Sequence, residues 1–330
     1  MTEANQNPTP FHTLTQDTVI DAIESLGFLC DLRVFPLNSY ENRVYQVGIE
    51  DSAPLIAKFY RPNRWSHAQI QEEHAYCQAL IELEIPILSP IERDGKTLFF
   101  YGDHMFALFT RFDGHAPNLD DLDTTYRMGQ QIGRIHAVGA TQEFAHRPTM
   151  DMQSYVLNSQ QYLLENDFLP TTLRPAYQAI SDQLITTLTP IFEGTSFTPI
   201  RLHGDCHPGN ILERDELLYF VDFDDCRSGP AIQDIWMLLN GERAQKQIQL
   251  GEFLDGYEEF HTFNNRELHL IETLRTMRLM HYSAWLARRW QDPAFPFAFP
   301  WFNTERYWAE HILELKEQAS ALNEPALARL

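Results

Sequence analysis

Between residues 201 and 225 the sequence reads Arg201-Leu-His203-Gly-Asp205-Cys-His207-Pro208-Gly209-Asn210-Ile-Leu and then Tyr219-Phe-Val-Asp222-Phe-Asp224-Asp225. Proline has no backbone donor for a helix interior, and here glycine follows it at once, so residues 203 to 210 form a loop. Ile211-Leu212 and Leu217 to Val221 read as two short strands joined by the polar turn Glu213 to Glu216. A hairpin of that length carries Asn210 and Asp222 at its open end. A lone carboxylate, an amide and a second carboxylate are therefore placed on two connected turns.

Those groups suit phosphoryl transfer from Mg-ATP to a hydroxyl. The attacking hydroxyl needs a carboxylate to orient it and take its proton, and the phosphate charge needs Mg²⁺ held by hard oxygen ligands. Asp205 meets the first need; Asn210 and Asp222 meet the second, which places Asp222 among the catalytic groups as well. His203-x-Asp205-x-His207 also holds ligand types suited to zinc, but that reading leaves Asn210 and Asp222 without a role. A phosphatase with an aspartate nucleophile wants Gly and then Thr or Val after its second Asp, where this chain has Asp225-Cys226. The remaining alternative is two turns rich in polar caps.

The chain of 330 residues is long for one core and comfortable for two lobes. A 44% hydrophobic and 22% charged composition is that of a folded protein. No apolar run reaches membrane-spanning length, and Met1 to Pro10 is a polar, floppy leader with no targeting pattern, so the expected location is cytoplasmic. Cys30, Cys77, Cys206 and Cys226 form no CxxC pair and read as reduced, buried thiols; Cys206 and Cys226 flank the motif. With 25 basic and 46 acidic residues, the net charge of −21 opposes nucleic acid and anionic membranes as partners. The same charge either favours a basic protein acceptor or serves solubility alone.

Before residue 112 the pattern is that of a small antiparallel sheet. Thr15 caps a short helix ended by Gly27. Strands are expected at 34–37, 43–47, 54–60, 97–101 and 105–112, with a helix from Ser66 to about Leu83 between the third and fourth. Beyond that point helices follow at about 122–136, 151–165, 172–188, 232–240, 244–260, 266–290 and 304–322, and Gly129 and Gly133 share a face that admits a close neighbour. The domains expected are a nucleotide-binding lobe over 1–112 and a helical catalytic and acceptor-binding lobe over 113–330, with a nucleotide cleft between. Lys58 follows Leu55-Ile56-Ala57 in mid-strand, where a lysine needs a partner. Ile70, Cys77 and Leu80 form the buried stripe of the following helix, and Glu73 falls within it, while Glu72, Tyr76 and Ala79 lie opposite.

His203-Gly-Asp205-x-His207-x-Gly-Asn210-Ile-Leu with Val-Asp222-Phe resembles the catalytic and metal-binding segments of the aminoglycoside phosphotransferase and choline kinase group, relatives of the protein kinases. Leu37 to Tyr45, Lys58 to Pro62, Gly229 to Gly241 and Arg288 to Pro296 further resemble the bacterial stress-response kinases of that group, over about residues 13 to 325. The resemblance implies an α+β, bilobal protein kinase-like fold, with a small antiparallel β-rich N-lobe and a larger, mainly helical C-lobe. It implies a serine/threonine protein kinase using ATP and Mg²⁺; a small-molecule kinase acting on an aminoglycoside, choline or homoserine shares the same core. A silent ATP-binding module is the non-enzyme rival, against which Lys58, Asp205, Asn210 and Asp222 all speak.

On the same resemblance Lys58 contacts the α/β phosphates and pairs with Glu73, and Ser39 is the ATP-contacting residue of the glycine-free turn Asn38 to Asn42. Ser39 and Asn42 alternatively cap that turn. His203 and His207 brace the catalytic loop, and Asp234 either steadies that loop or caps a helix. Arg288-Arg289 and residues 290–308 either shape an acceptor site or form a helix end and a packed loop. Asp224 replaces the glycine of the protein kinases, and it and Asp225 are either metal helpers or solvated turn carboxylates. Only 225 to 233 separates this turn from Asp234, which leaves no room for a long activation segment.

Overall fold

The computed structural model describes residues 10–329, so most of the expected leader lies outside the described residues. Two compact units are present: one runs to Ala116 and takes in Ile211–Asp224, and the other comprises Pro117–Asn210 and the chain from Asp225 onward.

In the first unit, α1 (Gln16–Glu24) begins at Thr15, whose hydroxyl accepts from Thr18 N at 3.1 Å. Strands β1 (Cys30–Pro36), β2 (Arg43–Ile49), β3 (Leu55–Phe59), β4 (Phe99–Tyr101) and β5 (His104–Thr110) form an antiparallel sheet in the order β1-β2-β3-β5-β4. Side chains alternate across a strand. Ala57 and Phe59 of the central strand β3 therefore join the core under α1 with Val19, Ala22 and Ile23, while Lys58 faces the other way. On that other side lies α2 (His67–Glu82), opened by a reciprocal capping box in which Gln69 N donates to Ser66 Oγ at 3.3 Å and Ser66 N to Gln69 Oε1 at 2.9 Å. Tyr76, expected on the outer face of α2, is fully buried and meets Phe223 edge-on at 5.9 Å, so the buried stripe is wider than its period implied.

The hairpin β7 (Ile211–Arg214) and β8 (Leu217–Phe220) turns through Asp215 and Glu216, both left-handed with φ of 52° and 62°. Its outer backbone groups bond to the first unit: Leu88 N donates to Phe220 O at 3.0 Å and Glu213 N to His115 O at 2.7 Å. The 211–224 segment consequently belongs to the first unit, where the sequence boundary had assigned it to the second.

The second unit holds α3 (Leu122–Gly139), α4 (Asn158–Glu165), α5 (Arg174–Gly194), α6 (Arg243–Tyr257), α7 (Ile271–Arg288), α8 (Ala294–Ala298) and α9 (Glu305–Ala321). It also holds the short pair β6 (Ile200–Leu202) and β9 (Arg227–Gly229), three residues each, which have too little length to leave a periodic signal. The helix expected over 232–240 is instead two 3-10 turns, Ala231–Asp234 and Trp236–Leu238, because the Glu267 side chain accepts from Ile232 N and the His203 backbone N donates to the Asp234 carboxylate. The first turn of the helix expected at 266 is likewise 3-10, and α7 starts at Ile271. No helix among the described residues is long and apolar enough to cross a membrane.

Helices α3 and α6 pack at glycines. A Cβ on Gly129 would lie 2.0 Å from the Phe253 carbonyl oxygen, and one on Gly133 2.5 Å from that of Tyr257. Replacing Gly129 with Ala should thus lower unfolding free energy by at least about 2 kcal/mol in denaturant titration. Gly194→Ala, where nothing lies within 4 Å, serves as control and should stay within about 1 kcal/mol of the native chain.

Candidate active site

Lys58 is 6% exposed, and its Nζ stands 2.7 Å from Asp222 Oδ1, 3.2 Å from Asp224 Oδ1 and 3.8 Å from Glu73 Oε1. Burial alone pulls an ammonium's pKa down, but the carboxylates of Asp222, Asp224 and Glu73 outweigh it and hold Lys58 well above the ordinary lysine value. Glu73 is buried on the α2 face toward the sheet. Asp222 adopts φ 61°, a left-handed conformation that a non-glycine residue holds only when its surroundings impose it. The buried Phe223 ring anchors the next residue, and the Asp222 side chain stays half-exposed.

Asp224 is no solvated turn carboxylate. It is 3% exposed, paired with Lys58 and with the guanidinium of Arg64. Arg64 Nε also lies 3.8 Å from Glu41 in the Asn38 to Asn42 turn, and Arg61 ties that turn down by a 2.9 Å ion pair to Glu41 and by donating its backbone N to Asn42 Oδ1 at 3.0 Å. Arg64 thereby spans from the glycine-free turn to Asp224, on the turn that carries Asp222. Ser39 Oγ donates to Asn42 O at 3.2 Å, so it caps this same turn. The roles of Arg61 and Arg64 were missed in the sequence, where their signal is two arginines in the short stretch Arg61-Pro-Asn-Arg64 that follows a mid-strand lysine.

In the second unit the loop after β6 is braced from below. The buried carboxylate of Asp234 accepts from His203 N at 2.7 Å and Gly204 N at 2.9 Å, and meets His136 Nε2 at 3.1 Å. Burial would raise this carboxyl, but the His136 hydrogen bond, the nearby imidazoles and the Gly204 amide hold it below its ordinary value. Gly204 has φ 89°, and a Cβ there would lie 2.2 Å from the Asp225 carbonyl oxygen, so glycine is required. His203 Nδ1 accepts from Asp205 N at 3.4 Å and His207 Nδ1 from Gly209 N at 3.0 Å; both rings serve the loop backbone. The Asn210 amide nitrogen donates to the Asp205 carbonyl at 3.0 Å, which leaves Oδ1 as its acceptor.

The Asp205 carboxylate is partly exposed, with Arg278 Nη1 of α7 at 2.5 Å from Oδ1 and His207 Nε2 at 3.6 Å from Oδ2. Nothing local in the sequence pointed to Arg278, since only tertiary packing brings α7 to this loop. Arg288 closes α7 by donating to Asn158 O at 2.9 Å, and Arg289 lies over Trp285. Within 290–308, Phe295, Phe302 and Trp308 are buried in an aromatic cluster. All four cysteines are buried and outside any disulfide, and burial pushes the Cys206 thiol well above its ordinary value. Among the described residues no three His, Cys, Asp or Glu side chains gather into a metal cage.

A model of the phosphotransferase enzyme family matches residues 33–271. Stress response kinase A of Escherichia coli (strain K12) is 44% identical over 323 residues, 98% of each chain. Serine/threonine protein kinase RdoA of Salmonella typhimurium is 42% identical over the same share. Among solved structures, amicoumacin kinase hAmiN in complex with AMP-PNP and Ca²⁺ superposes with a TM-score of 0.70 at 18% identity, over 93% of this chain and 96% of that one. A microcompartment-associated aminopropanol kinase gives 0.67 at 16%, over 92% and 98%. The chain belongs to the phosphotransferase enzyme family, in its stress response kinase A branch. Its fold is bilobal and protein kinase-like, and its activity is that of a kinase.

The turn that carries Asp234 also contains a titrating support. Burial pushes Glu267, which accepts from Ile232 N at 3.0 Å, up from its ordinary 4.5 to about 7. Between those values the folded chain holds a proton that the unfolded chain has lost, so stability falls as pH rises through that window. Glu267→Gln cannot ionise. Its melting temperature relative to the native chain should therefore climb from pH 4.5 to pH 7.5, and a difference independent of pH would refute the assignment.

Proposed function

We propose that the chain is an ATP-dependent serine/threonine protein kinase using Mg²⁺. The observation that carries the reading is the buried Lys58 ammonium held against Asp222, Asp224 and Glu73. A fixed cation beside an excess of carboxylate suits a nucleotide's phosphates together with a divalent metal. The likeness to a relative named as a serine/threonine protein kinase supports the protein acceptor. The structural neighbours named for amicoumacin and aminopropanol support a small-molecule acceptor as the second reading, at far lower identity.

In this reading Lys58, backed by Glu73, contacts the α and β phosphates, and Ser39 helps cover them. The donor set fits Mg²⁺: the Asn210 Oδ1 and the half-exposed Asp222 carboxylate are hard oxygen ligands, few enough to leave positions for phosphate oxygens and water. When bound, Mg²⁺ offsets charge on the transferring phosphoryl group. Asp205 orients the acceptor hydroxyl and takes its proton as the oxygen bonds to the γ-phosphorus. The bond to the β–γ bridging oxygen breaks, and ADP leaves with that electron pair. The first unit thus serves nucleotide binding and the second catalysis and acceptor binding. Four cysteines outside any disulfide agree with a cytoplasmic setting.

Replacing Asp205 with Ala should lower phosphate transfer by roughly 10²–10⁴-fold. Nucleotide affinity, measured by calorimetry, should remain near that of the native enzyme. Undiminished transfer would remove Asp205 from the mechanism.

A further inference from the structure

The charge around Asp205 runs against the charge of the chain. Acidic residues outnumber basic ones by 46 to 25 overall, yet α7 carries Arg275, Arg278 and Arg288 against the single acid Glu272. Arg275 is engaged by Glu272 at 3.5 Å and lies over the Trp236 ring. Arg288 donates to the Asn158 carbonyl and covers Tyr162. Arg278 alone of the three is directed to the reacting carboxylate, at 2.5 Å, and its side chain remains 41% exposed. The other carboxylate nearby, Asp225, is already matched by Arg227 at 2.8 Å, whose guanidinium lies over Tyr155. His281 packs on Tyr155 at 4.8 Å, and burial with the nearby Arg227 and Arg288 pushes its pKa down to about 3, so it stays neutral.

We propose that the acceptor of this kinase carries an anionic group, a carboxylate or phosphate, next to its reactive hydroxyl, and that Arg278 is the residue that selects it. The inference rests on the reading of Asp205 as the group that receives the hydroxyl proton. That hydroxyl must approach a carboxylate whose Oδ1 is taken by a guanidinium. An anion beside the hydroxyl accepts the planar fork of Arg278 in two hydrogen bonds, draws it from Oδ1, and frees that oxygen for the proton. An ammonium beside the hydroxyl, as in choline, an amino alcohol or an aminoglycoside, meets the same guanidinium as a like charge and leaves Oδ1 occupied. The overall negative charge is screened beyond about 8 Å in physiological salt, so at contact range Arg278 outweighs it. The preference for basic acceptors that the net charge suggests is thereby reversed at the site.

The test uses the full-length enzyme with ATP and Mg²⁺ and two sets of acceptors matched except for charge. One set is serine peptides flanked by Asp/Glu, by Gln or by Lys/Arg; the other is glycerate, glycerol, choline and kanamycin. ATP hydrolysis without acceptor is followed in parallel. The native enzyme should show kcat/KM at least about tenfold higher for the anionic than for the cationic member of whichever set is phosphorylated. Arg278→Lys should keep that order, Arg278→Gln should flatten it and Arg278→Glu should invert it. Using the ratio between acceptors within one variant separates selection from general damage to folding. A native preference for cationic acceptors, or an order unchanged in Arg278→Glu, overturns the proposal. Which set is phosphorylated decides separately between protein and small-molecule acceptors, and transfer to no acceptor with ATP hydrolysis intact overturns the proposal while leaving nucleotide use standing.

Discussion

One buried ammonium organises the first unit. Removing a lysine charge from water costs several kcal/mol unless partners repay it, and Lys58 is matched by three carboxylates from two separate parts of the chain. Strand alternation puts it opposite the Ala57 and Phe59 side chains, α2 brings Glu73, and the turn after β8 brings Asp222 and Asp224. The left-handed backbone at Asp222 is sustained by the two residues after it: Phe223 fixed in the core and Asp224 held by Lys58 and Arg64. Losing the ammonium would leave Glu73 and Asp224 buried with less compensation, so the cluster stands as a unit.

The second unit solves a different problem, that of holding a short polar loop rigid. Asp234 does so with backbone amides rather than side-chain charge, and His136, itself bonded to the Tyr257 hydroxyl at 2.9 Å, fixes the Asp234 carboxylate. Because α3 and α6 touch through Gly129 and Gly133, His136 and Tyr257 reach each other without a longer side chain between them. Packing of two helices is thus tied to the placement of Asp205. No long activation segment intervenes before Asp234, so the bracing is built in.

What the sequence disclosed follows the range of the interactions. Glu73 was legible because a carboxylate stood in an apolar helical stripe, and the hairpin at 211–220 because its strands flank a polar turn. The seat of that hairpin was not legible: its partners, Leu88 and His115, lie far upstream in the chain and contribute backbone atoms, which carry no side-chain signature. Asp224 looked like any turn carboxylate until Arg64 arrived from the loop after β3, and Arg278 was one arginine among several on a helix. Ion pairs between distant segments fall outside any periodic pattern.

In the function proposed above, the Lys58 cluster holds nucleotide phosphates and metal. Calorimetric titration of ATP into the native enzyme and into Lys58→Met and Asp222→Asn variants, each with and without Mg²⁺, tests it most directly. Native affinity should rise at least about tenfold with Mg²⁺, that Mg²⁺ effect should be lost in Asp222→Asn, and binding should be weak under both conditions in Lys58→Met. Native-like, metal-independent ATP affinity in all three proteins would contradict it.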